Sequence, residues 1–339
     1  MNKHAHRYQS DEMADEAFLW LKAHPAQYQH FLTVTQNARL IDFADHHGAF
    51  STLVRQFDMP DPDVVYHLNS GARFFERYCM EILTILGLYS LPYCYAGANG
   101  VRVLMQSRKI RENPELRLIE TAQFVFDVCR VDAFTPQGGG LASILKVRLM
   151  HAAARYYASH SIRDETPINQ EDMLATMLSF SLIVIRGLRK IGVSVDKITA
   201  EEYYQLWVYI GGLMGIRKEY LPQNMQSASV LERGIRRREF KKSEGGVELT
   251  KVLVAYLSSM GVKGISPESL MYYLLGENLA DILDLKPQSI LKSQLVATGL
   301  RTQNFFKAFS ERNFRDVLVD FERNLKKENI KPAFNISFE

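Results

Sequence analysis

His151 stands between two arginines in the run Lys146-Val147-Arg148-Leu149-Met150-His151-Ala152-Ala153-Ala154-Arg155. At 3.6 residues per helical turn, Arg148 and Arg155 fall on the same helix face as His151. A neutral imidazole is the commonest protein ligand for a metal, and a guanidinium binds carboxylates through a two-pronged fork. Ala152, Ala153 and Ala154 add little bulk, so a planar ring could come close. Haem asks for that combination: one axial nitrogen for iron and cations for two propionates. The same pattern also suits a core or surface histidine beside a solvated arginine face.

A second segment, Arg117-Leu118-Ile119-Glu120-Thr121, lies 30 residues upstream, counted from Thr121 to His151. Asn113 is a good N-cap, Pro114 fits the first helical position, and Glu115 suits the positive helix end. The helix they open is predicted to run through Phe126 to about Cys129, with Arg117 and Thr121 on one face. Arg130 to Gly140 reads as a loop containing Pro136 and three consecutive glycines. A return helix over about Leu141 to Ser159 brings Thr121 and His151 to nearly the same height on facing helices. Directly packed helices, at ~8–10 Å, leave no room for a macrocycle, so the glycine-rich connection is expected to permit a wider splay. Glu120 has three open roles: a first-turn glutamate near the helix end, a partner for Arg117, or a carboxylate base.

From about Phe57 to Leu285 the chain resembles the latex clearing protein (rubber oxygenase) and mycophenolic-acid-pathway oxygenase superfamily. The resemblance rests on Ser90-Leu91-Pro92, Tyr95 through Leu104, the R-x-x-x-T of Arg117 and Thr121, and Thr121-Ala122-Gln123-Phe124-Val125. It continues in K-V-R-L-x-H-A-x-x-R over Lys146 to Arg155, then Asp172 to Thr176, Gly187 to Gly192, Trp207 and Gly211 to Gly215. Ser243-Glu244-Gly245 and Leu275-Gly276 match as well. The resemblance implies an all-α fold, a single large helical domain with a globin-like haem-binding core. It implies haem b with His151 as the proximal iron ligand, and dioxygen chemistry on an alkene with Arg117 and Thr121 on the distal side. Arg148 and Arg155 match arginines of the family motif and are expected to hold propionates or brace the helix. Two departures stand out. The rubber-cleaving branch has a lysine where this chain has Glu120, and it has an upstream catalytic glutamate, whereas Ile82 to Arg111 contains no acidic residue here. Both argue against polyisoprene as the substrate.

The wider sequence supplies the frame for these two helices. With 339 residues, 47% of them hydrophobic, the chain can bury one large core. A net charge of +3 is too mild to imply nucleic acid, and the basic run Arg233 to Lys242 reads as a solvated helix end before a Gly245-Gly246 break. Cys79, Cys94 and Cys129 have no metal spacing and read as reduced thiols in a cytoplasmic compartment. Met1 to Pro25 lacks the apolar stretch of a signal peptide, and acids follow at Asp11, Glu12, Asp15 and Glu16. No run reaches the ~18 apolar residues of a membrane span. The longest apolar candidate, Met173 to Ile185, reads as one buried helix with Asn169 and Asp172 at its start and Gly192 at its end. Thr199 with Glu202 predicts a capping box before a Tyr203–Met214 helix, and Ser266-Pro267 opens another that stops at Gly276. Leu249 to Met260 and Leu300 to Leu325 also read as helical, and Lys326 to Glu339 as a polar tail.

The resulting expectation divides the chain into an N-terminal helical extension over residues 1–50, a catalytic domain over 51–290, and a C-terminal helical extension and tail over 291–339. The expected activity is a haem-dependent oxygenase acting with dioxygen on a small hydrophobic, unsaturated, isoprenoid-like substrate. A haem-binding carrier or sensor is the alternative. The sequence leaves the oligomeric state open.

Overall fold

Short polar residues and prolines mark where this chain turns into helix. Asp11 caps α1 (Glu12–Ala23) by accepting from the Ala14 amide, and Pro25 opens α2 (Pro25–Leu32). The computed structural model describes residues 5–44, 48–106, 114–259, 266–286 and 314–327. In it α3 (Ala49–Val54), α4 (Pro62–Arg77) and α5 (Cys79–Ile85) follow, then a wide π turn over Leu86–Ser90. After α6 (Leu91–Tyr95) and α7 (Ala98–Leu104) come the two long helices α8 (Pro114–Cys129) and α9 (Gly140–Ala158). The chain continues through α10 (Gln170–Phe180), α11 (Leu182–Lys190), α12 (Lys197–Leu213), α13 (Met225–Glu239) and α14 (Glu244–Ser259). It ends in α15 (Pro267–Leu275), α16 (Glu277–Ile282) and α17 (Phe314–Lys327). No strand occurs among the described residues, where one isolated bridge joins Gly97 to Phe240. The expected all-α single domain is observed.

One hydrophobic core runs from α1 to α17, so Ala14, Phe18, Leu145, Leu188, Tyr203 and Val317 belong to the same buried cluster. Within it α4 packs extensively against α12. Small residues permit that approach, since a Cβ on Gly71 would come within 2.7 Å of the Glu202 carbonyl oxygen. Burial of this kind, at roughly 25 cal/mol per Å² of apolar surface, is the main force assembling the helices.

Helix limits set by local signals agree with the sequence reading. α8 begins at Pro114 and ends at Cys129, and α9 spans the predicted return helix. Asn169 forms a capping box with Asp172, and α15 starts after Ser266 and stops at Gly276, whose φ is +79°. Three expectations need correction. The apolar run read as one helix is two, because Ser181 leaves helical geometry at φ −110°, ψ −81°. The cap before Trp207 is Asp196, which accepts from Ile198 and Thr199; Thr199 donates its hydroxyl to Asp196 at 2.6 Å. Gly245 and Gly246 lie inside α14 and do not break it. They are small because α14 crosses the α6–α7 segment closely: a Cβ on Gly246 would lie 2.4 Å from the Tyr95 carbonyl oxygen. The cap at Asn113, the Arg117 side chain, residues 300–313 of the C-terminal helix and the tail from 328 fall outside the described residues, as does Met260.

Candidate functional site

The α8–α9 hairpin is organised by a residue far away in sequence. Asn37, 3% exposed, inserts its side chain into the connection between the two helices. Its amide nitrogen donates to the carbonyl oxygens of Ala133 and Thr135 at 2.8 and 2.7 Å. Its Oδ1 accepts from the amides of Leu141 and Ala142 at 2.9 and 3.3 Å. The residue before α9 is Gly139, which caps nothing itself, so Asn37 acts as the N-cap in trans. The glycine-rich loop is thus tightly held: a Cβ on Gly138 would lie 2.1 Å from the Asp132 carbonyl oxygen.

Near this loop the helices touch, with the Ser143 hydroxyl donating to Asp127 and Gln123 donating to it at 2.7 Å. Burial raises the Asp127 carboxyl above its usual range, against the lowering effect of these two hydrogen bonds. Farther from the loop the helices part around a partly open cavity. Glu120, Thr121 and Phe124 of α8 line one wall, and Val147, Met150 and His151 of α9 the facing wall. Met173, Met177 and Phe180 of α10, Trp207 and Ile210 of α12, and Met214 just after α12 close it with apolar surface. The sequence-derived pairing of Thr121 with His151 across a hairpin is therefore seen as a shared cavity.

Two further cavities adjoin this one. Thr121 also lines a larger apolar space walled by Leu83, Gly87, Leu88, Leu118, Leu257 and Leu270. The π turn over Leu86–Ser90 forms part of that wall, a wider helical turn of a kind often found at functional sites. His151, Met173 and Thr176 also line a space that carries the acids Glu171, Asp172 and Glu239. Arg7 reaches into this acid group from the N-terminal turn Ala5–Tyr8, 2.8 Å from Glu239 and 3.8 Å from Asp172. Arg238 pairs with buried Glu171 at 2.7 Å, so the basic run is not simply a solvated face. Burial is the largest influence on Asp172 and pushes its carboxyl up to about 7; Arg7 opposes the rise, while Glu165 and Glu239 add to it.

Arg148 and Arg155 do not line these cavities. Arg148 is buried and donates through Nε and Nη2 to the two carboxylate oxygens of Asp11 at 2.6 and 2.9 Å. It also donates to the carbonyl oxygen of Leu213, the last residue of α12, at 3.1 Å. Gly215 makes room for this contact, since its φ is +93° and a Cβ there would lie 2.1 Å from Asp11 Oδ2. Arg155 donates to Asp15 at 2.7 Å and to the Ile168 carbonyl oxygen at 3.1 Å. Of the two roles read from sequence, these contacts describe the brace. Lys146, the remaining cation of the motif, donates to the carbonyl oxygens of Leu32 and Val34. Burial lowers its ammonium below the usual value.

Sequence reasoning missed Asp11, Asp15 and Asn37. A signal for the aspartates was present: two arginines on a largely apolar helix need carboxylates, and the acid-rich stretch beginning at Asp11 could supply them. The cysteines are free as expected; Cys79 and Cys129 are buried, and burial pushes the Cys79 thiol up to about 12. No group of three His, Cys, Asp or Glu that could hold a bare metal ion occurs among the described residues. Nor is any helix there long and apolar enough to cross a membrane.

A helical domain built around a hairpin with His151 and Thr121 on opposite cavity walls defines the class into which this chain falls. A family model described as ER-bound oxygenase mpaB/B'/Rubber oxygenase, catalytic domain, matches residues 84–302, and the chain belongs to that family. A rubber oxygenase of Streptomyces sp. (strain K30) is 27% identical over 241 residues, 68% of this chain; the chain covers 59% of that relative's length. The solved structure of latex clearing protein in the closed state has a similar fold, with a TM-score of 0.75 at 23% identity. That match covers 89% of this chain and 84% of the solved one.

Proposed function

We propose that the chain is a haem b-dependent oxygenase that uses dioxygen on a small, hydrophobic, unsaturated substrate. The observation that carries this reading is the apolar cavity between α8 and α9, with one imidazole on one wall and Thr121 and Glu120 on the other. The donor set suits haem better than a bare ion: a lone histidine suffices for iron that a macrocycle already holds, and the methionine- and aromatic-rich walls suit its faces. In this reading His151 would hold the iron. Haem, when bound, supplies the dioxygen chemistry that amino-acid side chains lack.

The chain's own groups would do the rest. The apolar walls exclude water, which strengthens every polar contact inside. The Thr121 hydroxyl is a donor at the junction of this cavity with the larger apolar one, and Arg117 shares its helix face by the helical period. Both would steady charge developing on oxygen. Glu120 is the acid in the described wall of the His151 cavity and could accept a proton there. The larger apolar space, walled largely by aliphatic side chains, would receive the substrate.

The purified chain should be red-brown with a Soret band, and His151→Ala should lose most of its haem. Full haem with an unchanged spectrum in that variant would remove His151 as the ligand. Arg117→Ala and Thr121→Ala should hold haem and lose oxygen uptake. A haem carrier or sensor remains the second reading, favoured by Glu120 in place of a lysine and the lack of acids from Ile82 to Arg111. Steady oxygen consumption with an alkene excludes it.

A further inference from the structure

We propose that Asp11 and Asp15 are positioning residues for His151, holding the α9 helix at the rotation and height at which its imidazole meets the cofactor. The inference rests on the haem reading above and adds the N-terminal segment to the site. Arg148 lies one turn before His151 and Arg155 one turn after it. Each is tied to a carboxylate of the same short stretch, Asp11 at the cap of α1 and Asp15 within its first turn. Two anchor points on either side of a histidine restrain both the turning and the sliding of its helix. A single anchor would leave the helix free to pivot.

The geometry is that of a built joint. The Asp11 carboxylate and the Arg148 guanidinium are 4% and 6% exposed, and they meet through two parallel hydrogen bonds. Such a fork is directional, so it fixes orientation as well as distance. Asp11 Oδ1 also accepts from the Ala14 amide at 3.3 Å, which ties the start of α1 to the same joint. Through the Leu213 carbonyl, Arg148 joins α9 to α12, the helix that contributes Trp207 and Ile210 to the cavity. Lys146 adds a third tie at the end of α2. The motif's three cations are thus all engaged by residues 11–34.

The test uses the full chain loaded with haem. Asp11→Asn and Asp15→Asn keep shape and remove charge, and Glu12→Gln is the control, since Glu12 pairs with Arg217 on the exposed side of α1. Three quantities are measured at a temperature where each variant is folded: the rate of haem transfer to apomyoglobin, the ferric EPR spectrum and the reduction potential. Expected are a haem-loss rate at least tenfold faster for Asp11→Asn and about threefold faster for Asp15→Asn, with altered EPR signals in both. Glu12→Gln should match the wild type. Should Asp11→Asn fail to fold, Asp15→Asn decides the matter, because its carboxylate is 31% exposed and its loss is milder. Folded variants that lose haem at the wild-type rate with an identical EPR spectrum overturn the positioning role even if they melt earlier. A wild-type chain that takes up no haem overturns the haem reading itself, and this inference with it.

Discussion

The two long helices that face each other across the cavity are held in opposite ways. α9 is tied along its length: Asn37 at its first turn, Lys146 in its middle, and Arg148 and Arg155 on either side of His151. On α8, Asp127 anchors the loop end and Tyr256 hydrogen-bonds Glu115 near the start. Between those points Thr121 borders two cavities. Open space next to a helix means fewer packed neighbours and easier local adjustment. The contrast teaches a division of labour. The wall that bears the proposed metal ligand is fixed by distant residues, while the wall that bears Thr121 and Glu120 can adapt to what enters.

The largest break in that contrast is expected at Asn37. Asn37→Ala removes four hydrogen bonds at once and leaves the amides of Leu141 and Ala142 without their acceptor. A lost cap and several unpaired buried groups predict a stability loss of about 2–3 kcal/mol. Urea unfolding measures it. A loss under about 0.5 kcal/mol would mean that α9 is not held through its first turn.

A smaller effect, with a sign that depends on pH, is expected at Asp172 behind α9. Its ordinary value of 3.8 is raised to about 7 in the folded chain, first by burial. The folded state therefore holds the proton more tightly than the unfolded one. The stability this gives is fully present below about pH 4 and is lost as pH rises through 7. Asp172→Asn cannot titrate, and its side-chain oxygen can still accept from the Asn169 amide in the capping box. Relative to wild type, the variant should gain about 1–2 kcal/mol between pH 5 and pH 8, discounted from the full shift because the Asp172 side chain is 20% exposed and solvent screens its charge. Parallel pH profiles for the two proteins would show that Asp172 does not titrate in this range.

The same contrast explains what could be read from the sequence. Helix ends at Pro114, Ser266-Pro267 and Gly276 were legible because their causes are local: a missing amide, a hydroxyl acceptor, a positive φ. Thr121 opposite His151 was legible because a hairpin fixes height by counting residues from its loop. The break at Ser181 was not, since the turn is stabilised from elsewhere: Ser90 donates to the Ser179 carbonyl oxygen at 2.6 Å. Gly245-Gly246 looked like punctuation until α14 met the Tyr95 carbonyl. Asp11, Asp15 and Asn37 escaped because their partners lie far along the chain, at separations of 137 and 140 for the aspartates and 96 to 105 for Asn37. Charge on a helix face reveals that a partner is needed, but not where the chain will bring it from.

The smallest change in stability is expected on the adaptable wall, at Glu120. Glu120 is half-buried in the wall that faces His151, in the middle of the stretch of α8 beside the cavities. Glu120→Gln keeps its length, its shape and one acceptor oxygen, so folding should change by no more than about 0.5 kcal/mol, the usual range for a near-isosteric substitution at a half-buried site. Chemistry is where the substitution should tell. If Glu120 accepts a proton during turnover, the variant should hold haem normally, show an unchanged ferric spectrum, and lose both oxygen uptake and the acid limb of its pH–rate profile. If uptake and profile match the wild type, Glu120 is a wall charge with no part in proton transfer, and the oxygenase must work without a carboxylate from this wall. A large loss of stability would contradict the comparison directly, because it would show α8 to be held at Glu120 as firmly as α9 is held at Arg148.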